Sequence, residues 1–316
     1  MKGSASVRKK LLLIINPTSG RGIIKDYLLL IISQLSLAGY EVVVYPTKAK
    51  YDAVEKMKEA RNYDLVVASG GDGTLNEVIT GLIQANANTP IAYIPTGTTN
   101  DFATTLGIPK NIPKALDLCI QGKQMPIDIG QFGSRYFTYV AAFGAFTDVA
   151  YETPQPRKNM LGGLAYLIEG LLKLPTIQSY KCKITHRDGV IEGDYILGMI
   201  SNSDSVAGIK NAFGNHADLS DGLFEVTLIR APKNMIDIHR ILNDFLNTQY
   251  DPEYVVTFKT DRMTVESEQD VKWTLDGEDG GILKSVNIRS LQRRVQILSL
   301  KMWTSAILII RKNSWC

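Results

Sequence analysis

Residues 68–77 read Ala-Ser-Gly-Gly-Asp-Gly-Thr-Leu-Asn-Glu, and they join an apolar run at 65–68 to a stripe formed by Leu75, Val78, Ile79, Leu82 and Ile83. Short, wholly apolar runs mark strands buried on both faces, and recurrence at three and four residues marks a helix. A buried strand therefore feeds a helix through a turn with three glycines in four positions. Such a turn can aim several N–H groups into one concavity, and the helix behind it adds its free N–H groups and positive end. An anion is favoured there. Thr74 and Glu77 have capping-box spacing, which predicts a helix starting at Thr74. A carboxylate beside phosphates repels them unless a cation intervenes, so Asp72 is expected to face magnesium, directly or through water. Three glycines alone fit an ordinary strand-to-helix turn equally well.

The alternation extends over the first 125 residues. Apolar runs at 11–15, 41–45, 65–68 and 91–94 predict strands. Stripes through Ile24, Leu28, Ile31, Ile32 and Leu35, and over 53–61, predict helices between them. Strands separated by helices imply βαβ units and a parallel sheet. Beyond Met125 strand-like runs follow one another at 127–132, 136–142, 180–186, 195–201, 224–229, 255–258, 263–266, 273–275, 286–288 and 295–300, broken by turns such as Arg187-Asp188-Gly189. Helical stretches at 161–174 and 233–246 interrupt them. The expected architecture is α/β plus all-β: a three-layer α/β nucleotide-binding domain with a parallel sheet over 8–126, an antiparallel β-sandwich domain over 127–300, and a separate tail at 301–316.

Two further strand ends carry matching loops, Asn16-Pro17-Thr18-Ser19-Gly20 after the first strand and Pro95-Thr96-Gly97-Thr98-Thr99-Asn100-Asp101-Phe102 after the fourth. Carboxyl ends of parallel strands share one edge, where ligands bind. Three loops at that edge make a nucleotide cleft the natural reading. No GxxxxGK[ST] loop is present, and Asn76 stands where the third glycine of GxGxxG would be, which argues against both common nucleotide folds.

Taken together, Asn16-Pro17-x-Ser19-Gly20, Gly70-Gly71-Asp72-Gly73-Thr74-x-Asn76-Glu77 and Pro95-x-Gly97-Thr98-x-Asn100-Asp101-Phe102 resemble the diacylglycerol kinase catalytic family in its soluble bacterial branch, within the NAD kinase-like superfamily. The resemblance runs from about residue 8 to about residue 300. It implies a kinase using ATP and Mg²⁺, with diacylglycerol as the first-choice acceptor and a sphingoid base, ceramide or phosphatidylglycerol as alternatives. ATP would lie against Asn16, Pro17, Thr18, Ser19, Gly20, Thr47, Gly70, Gly71, Asp72, Gly73, Thr74, Leu75, Asn76 and Thr98. Magnesium ligands would be Asp218, Asp221 and the carbonyl of Leu223. The resemblance points to Glu278 as the base that takes the hydroxyl proton, with Asp276 nearby as a magnesium or hydrogen-bonding partner and Asp72 completing the catalytic acids. By its residues alone, 275–281 reads equally as an exposed hairpin turn. The apolar stretches 143–146 and 161–174 suit either a lipid entrance or core.

Two rival functions remain at this level. An NAD kinase usually carries a GxNxGxLGF-like stretch where residues 95–102 stand here, and a non-catalytic nucleotide- or lipid-binding protein would not need Asp72, Asp276 and Glu278. A net charge of +3, with no nucleic-acid-binding motif, argues against a nucleic-acid partner. Three scattered cysteines offer no metal or disulfide pattern and suit a reducing compartment. The apolar run behind Arg8-Lys9-Lys10 is too short for a secretory signal, and that in the tail is too short to span a bilayer. The expected setting is cytoplasmic, with peripheral contact at the inner face of the membrane. An exposed β edge would allow a homodimer.

Overall fold

The computed structural model describes residues 8–144, 178–202, 205–206, 209–210, 218–247 and 250–299. The expected helix at 161–174, residues 145–146 of the apolar stretch 143–146 and the tail at 301–316 lie outside the described residues.

The amino-terminal half contains β1 (Lys9–Ile15), α1 (Ile24–Leu37), β2 (Tyr40–Pro46), α2 (Asp52–Lys56), β3 (Leu65–Gly70), α3 (Asp72–Gln84), β4 (Ile91–Pro95), α4 (Asp101–Leu106) and α5 (Ile112–Gln121). The strands stand in the order β2-β1-β3-β4 and pair in parallel. β3 and β4 are buried along their whole length, as is β1 from Leu11 onward, because helices cover the sheet on both faces. α1 meets α5, and α2 packs on α3. The chain crosses from β2 over β1 to β3, so the direction of winding reverses between β1 and β3. A crevice opens beyond the carboxyl ends of strands at such a switch.

The rest is mostly antiparallel: β5 (Lys123–Phe132), β6 (Arg135–Phe137), β7 (Val140–Gly144), β8 (Tyr180–His186), β9 (Gly189–Ser201), the short pair β10 (Ser205–Val206) and β11 (Ile209–Lys210), β12 (Phe224–Arg230), α6 (Met235–Asn247), β13 (Val255–Thr260), β14 (Arg262–Leu275) and β15 (Glu278–Ser299). β14 pairs with β8 through its first part and with β7 through its last, and β9 pairs with the same two strands. These four strands close around a second core, where Trp273 meets Phe132 and Phe143 edge-on at 4.9 Å each. β15 ties the halves together. It pairs with β14 and β5, then reaches β4 in parallel through Ile297 and Ile91, so Val295, Ile297 and Leu298 complete the α/β core.

Several elements differ from the sequence expectation. α3 begins at Asp72, with Gly71 at its N-cap and no side-chain cap, because Thr74 and Glu77 bond elsewhere. The 136–142 strand is split at Thr138–Tyr139, whose N–H groups turn to Asp276. The 263–266 and 273–275 runs are parts of the single strand β14, and the 286–288 and 295–300 runs of the single strand β15. α4 and α5 were not anticipated, although α5 has a signal in Asn111, whose side chain accepts from Lys114 N–H.

Candidate active site

The carboxyl ends of the parallel strands are stitched side by side. Thr47 N–H donates to the Ile15 carbonyl, Asn16 N–H to Ser69, and Thr96 N–H to Gly70, each at 2.8 Å. The three motif loops are thereby forced into mutual contact. Gly20 takes φ +55°, and a Cβ there would lie 1.9 Å from the Thr96 oxygen. A Cβ on Gly97 would lie 2.6 Å from the Gly71 Cα. These glycines are needed because backbone packs on backbone.

Side chains finish the lock. The Asn16 amide donates to Thr74 Oγ1 (3.2 Å), while its oxygen accepts from Thr18 N–H and Oγ1. Asn100, buried and left-handed, accepts from Gly97 N–H and Tyr93 O–H and donates back to the Gly97 carbonyl. The Asp72 oxygens accept N–H groups from Asp101 (3.0 Å) and Phe102 (3.2 Å), so the aspartate of one motif caps the helix that starts in the next. Burial, aided by the charges of Asp101 and Asp276, pushes the Asp72 carboxyl up to about 6, against those two hydrogen bonds. Glu77 does not close a capping box. Its Oε1 accepts from Tyr51 N–H at 2.9 Å and fixes the loop after β2.

The other wall of the cleft is the turn between β14 and β15. Leu275 pairs with Glu278, and Asp276 and Gly277 both have positive φ (51° and 80°), a type I′ turn as the Asp-Gly sequence favours. Asp276 is buried. Its Oδ2 accepts from the Asn76 amide (2.9 Å), Thr138 N–H (2.7 Å) and Thr138 Oγ1 (2.8 Å), and its Oδ1 from Tyr139 N–H (2.9 Å) and Val140 N–H (3.0 Å). Burial pushes the Asp276 carboxyl up, and the hydrogen bonds from Thr138, Tyr139 and Val140 pull it down. This carboxylate clamps α3, the β6–β7 junction and the hairpin together. Glu278, two residues on, is exposed, and its Oε1 lies 3.9 Å from where a Cβ of Gly73 would be.

A cleft of about 440 Å³ lies between these walls. Of the anticipated residues, Asn16, Pro17, Thr18, Thr47, Gly73, Thr74, Asn76, Asp276 and Glu278 line it. Ser19, Gly20, Gly70, Gly71, Asp72, Leu75 and Thr98 are not in its lining. Leu75 is fully buried core, which removes its side chain from any nucleotide contact. Ser19, Gly20, Gly70, Gly71 and Asp72 build the loop framework behind the lining, and Thr98 is exposed on its loop. Lys48, Lys50, Arg135 and Tyr136 also line the cleft and were not singled out from sequence. Lys48 follows Thr47 directly and Lys50 lies two residues further on, which was the available signal.

Asp218, Asp221 and Leu223 do not line the cleft. Asp218 Oδ1 accepts from Ser220 N–H and Oγ, and Asp221 Oδ1 accepts from Leu223 N–H. Among the described residues no three acidic, histidine or cysteine side chains converge as a metal cage. Magnesium keeps several waters and uses one or two carboxylates, so two aspartates and a carbonyl on a tight turn still suit it. Beyond the effect of burial, the charges of Asp221 and Asp218 push up the carboxyl of Asp128, and the Lys259 ammonium, paired with Glu225 at 2.8 Å, stands 3.7 Å from Asp221.

Comparison with known proteins identifies the family. Residues 10–132 match the sequence profile of the diacylglycerol kinase catalytic domain. The chain is 35% identical to a diacylglycerol kinase of Bacillus subtilis over 297 residues, 93% of this chain and 97% of that one. It is 33% identical to a diacylglycerol kinase of Staphylococcus saprophyticus over 296 residues, 93% and 96% of the two chains. The crystal structure of a diacylglycerol kinase from Bacillus anthracis superposes with a TM-score of 0.76 at 25% identity, over 93% of this chain and 98% of the other.

Proposed function

The chain belongs to the diacylglycerol kinase catalytic family and is a lipid kinase, and from that premise we propose that it moves the γ-phosphoryl group of ATP to the free hydroxyl of diacylglycerol, giving phosphatidic acid. The observation that carries this reading is the approach of Glu278 to Gly73, which brings an exposed carboxylate to the glycine loop of the same cleft.

In this reading the phosphates lie along Asn16–Thr18 and Gly73–Thr74, at the open end of α3. Lys48, Lys50 and Arg135 offset their charge from the rim. Glu278 takes the proton as the lipid oxygen attacks the γ-phosphorus and the bond to ADP breaks in line. Asp276 acts as a positioning residue that sets the hairpin carrying Glu278. Asp72 keeps two loops in register, and its carboxylate would hold magnesium through water. Magnesium, when bound, neutralises phosphate charge, and a second ion held by Asp218, Asp221 and the Leu223 carbonyl would order residues 218–223. The division into an α/β nucleotide domain (8–126, its sheet completed by the end of β15) and a β-rich catalytic domain over most of 127–300, peripheral action at the inner membrane face, and a homodimer through an exposed sheet edge belong to the same proposal.

The test is γ-labelled ATP offered with diacylglycerol, a sphingoid base, ceramide or phosphatidylglycerol in mixed micelles. Label in phosphatidic acid is the predicted result. Transfer to another lipid alone reassigns the acceptor, and NADP formation from NAD with no lipid product overturns the reading.

A further inference from the structure

Glu278 already has a partner. Its Oε2 holds the ammonium of Lys50 at 2.9 Å, across the cleft from one wall to the other. The two side chains are 60% and 57% exposed, so the pair is weak and open to exchange. Lys50 is placed by α3, because Tyr51 N–H next to it is held by Glu77. The contact with Glu278 raises the Lys50 pKa, against burial and the nearby Arg135, so the ammonium is charged at neutral pH. Asn16, Thr18 and Thr74, the groups expected to meet phosphate, line the same cleft as Lys50. A triphosphate carries more charge than a carboxylate and outcompetes it for an exposed ammonium.

We propose that Lys50 is a positioning residue that links nucleotide arrival to release of the base. Before nucleotide binds, its ammonium holds the Glu278 carboxylate. When the triphosphate enters, the ammonium moves to phosphate oxygens, and Glu278 becomes available to the lipid hydroxyl. The proposal rests on the kinase reading and adds an order to it, nucleotide before alcohol.

The test is ATP binding by equilibrium dialysis without lipid, on the full chain and on Glu278→Gln, Lys50→Met and the double variant. Because ATP must break the Lys50–Glu278 pair, Glu278→Gln should tighten binding by about two- to five-fold. In the Lys50→Met background the same change should move affinity by less than about 1.5-fold, and Lys50→Arg should restore the gain. No gain from Glu278→Gln, or an equal gain in both backgrounds, overturns the proposal alone. Failure of the unaltered chain to bind ATP overturns the kinase reading beneath it.

Discussion

Replacing Asp276 by Asn removes one acceptor oxygen from a carboxylate that receives five hydrogen bonds. The remaining oxygen serves best on the three-donor side, toward Asn76 and Thr138. The new amide nitrogen then faces the N–H groups of Tyr139 and Val140, donor against donor. Two buried N–H groups without an acceptor cost about 1–3 kcal/mol each, so the variant should lose about 2–6 kcal/mol. That is a large share of the ~5–15 kcal/mol of a typical domain. Asn tolerates the left-handed backbone at this position (φ 51°), so the effect reports the carboxylate and not strain. Urea unfolding followed by tryptophan fluorescence suits the test, since Trp273 is buried three residues before the turn. Stability within about 0.5 kcal/mol of the unaltered protein, with loss of magnesium-dependent activity, would refute the clamp and make Asp276 a metal ligand.

Asp72 gives a pH-dependent counterpart. Its native carboxyl is held up at about 6 against an ordinary 3.8, so the stability it supplies relative to Asp72→Asn is present below 3.8 and lost as pH rises through about 6. Urea midpoints at about pH 5 and about pH 7.5 should show its advantage over Asn shrinking at the higher value, and growth of that advantage contradicts the assignment. Gly20→Ala puts a Cβ 1.9 Å from the Thr96 oxygen, and Gly97→Ala puts one 2.6 Å from the Gly71 Cα. Overpacking of about 1–3 kcal/mol at each should weaken ATP binding by roughly 5- to 100-fold, measured by dialysis, and unchanged affinity would mean that the loops do not form the site.

The parallel strands and their three loops were legible because each is a local pattern, a buried run ending in glycine and hydroxyl residues. What joins the loops was not. The Asp72 bonds to Asp101 and Phe102 explain why the two motifs occur together, yet nothing in either stretch names the other as partner. Asn76 and Asp276 are 200 residues apart in sequence, and their contact depends on how β14 and β15 return to α3. The same contact splits the 136–142 strand, since a buried carboxylate outcompetes a ladder for three successive N–H groups. Thr74 and Glu77 had the spacing of a capping box, but tertiary partners, Asn16 and Tyr51, took both side chains. Lys50 was passed over because a lysine after a turn is usually a solvated charge.

The central claim is that Glu278 serves the chemical step, and that nucleotide still binds when its carboxylate is removed. Glu278→Gln, assayed with labelled ATP and diacylglycerol micelles beside ATP dialysis on the same preparation, tests it directly. Transfer should fall by at least about 100-fold while ATP is still bound. Transfer comparable to that of the unaltered enzyme would contradict the assignment of the base, and with it the reason for reading the two walls of the cleft as one active site.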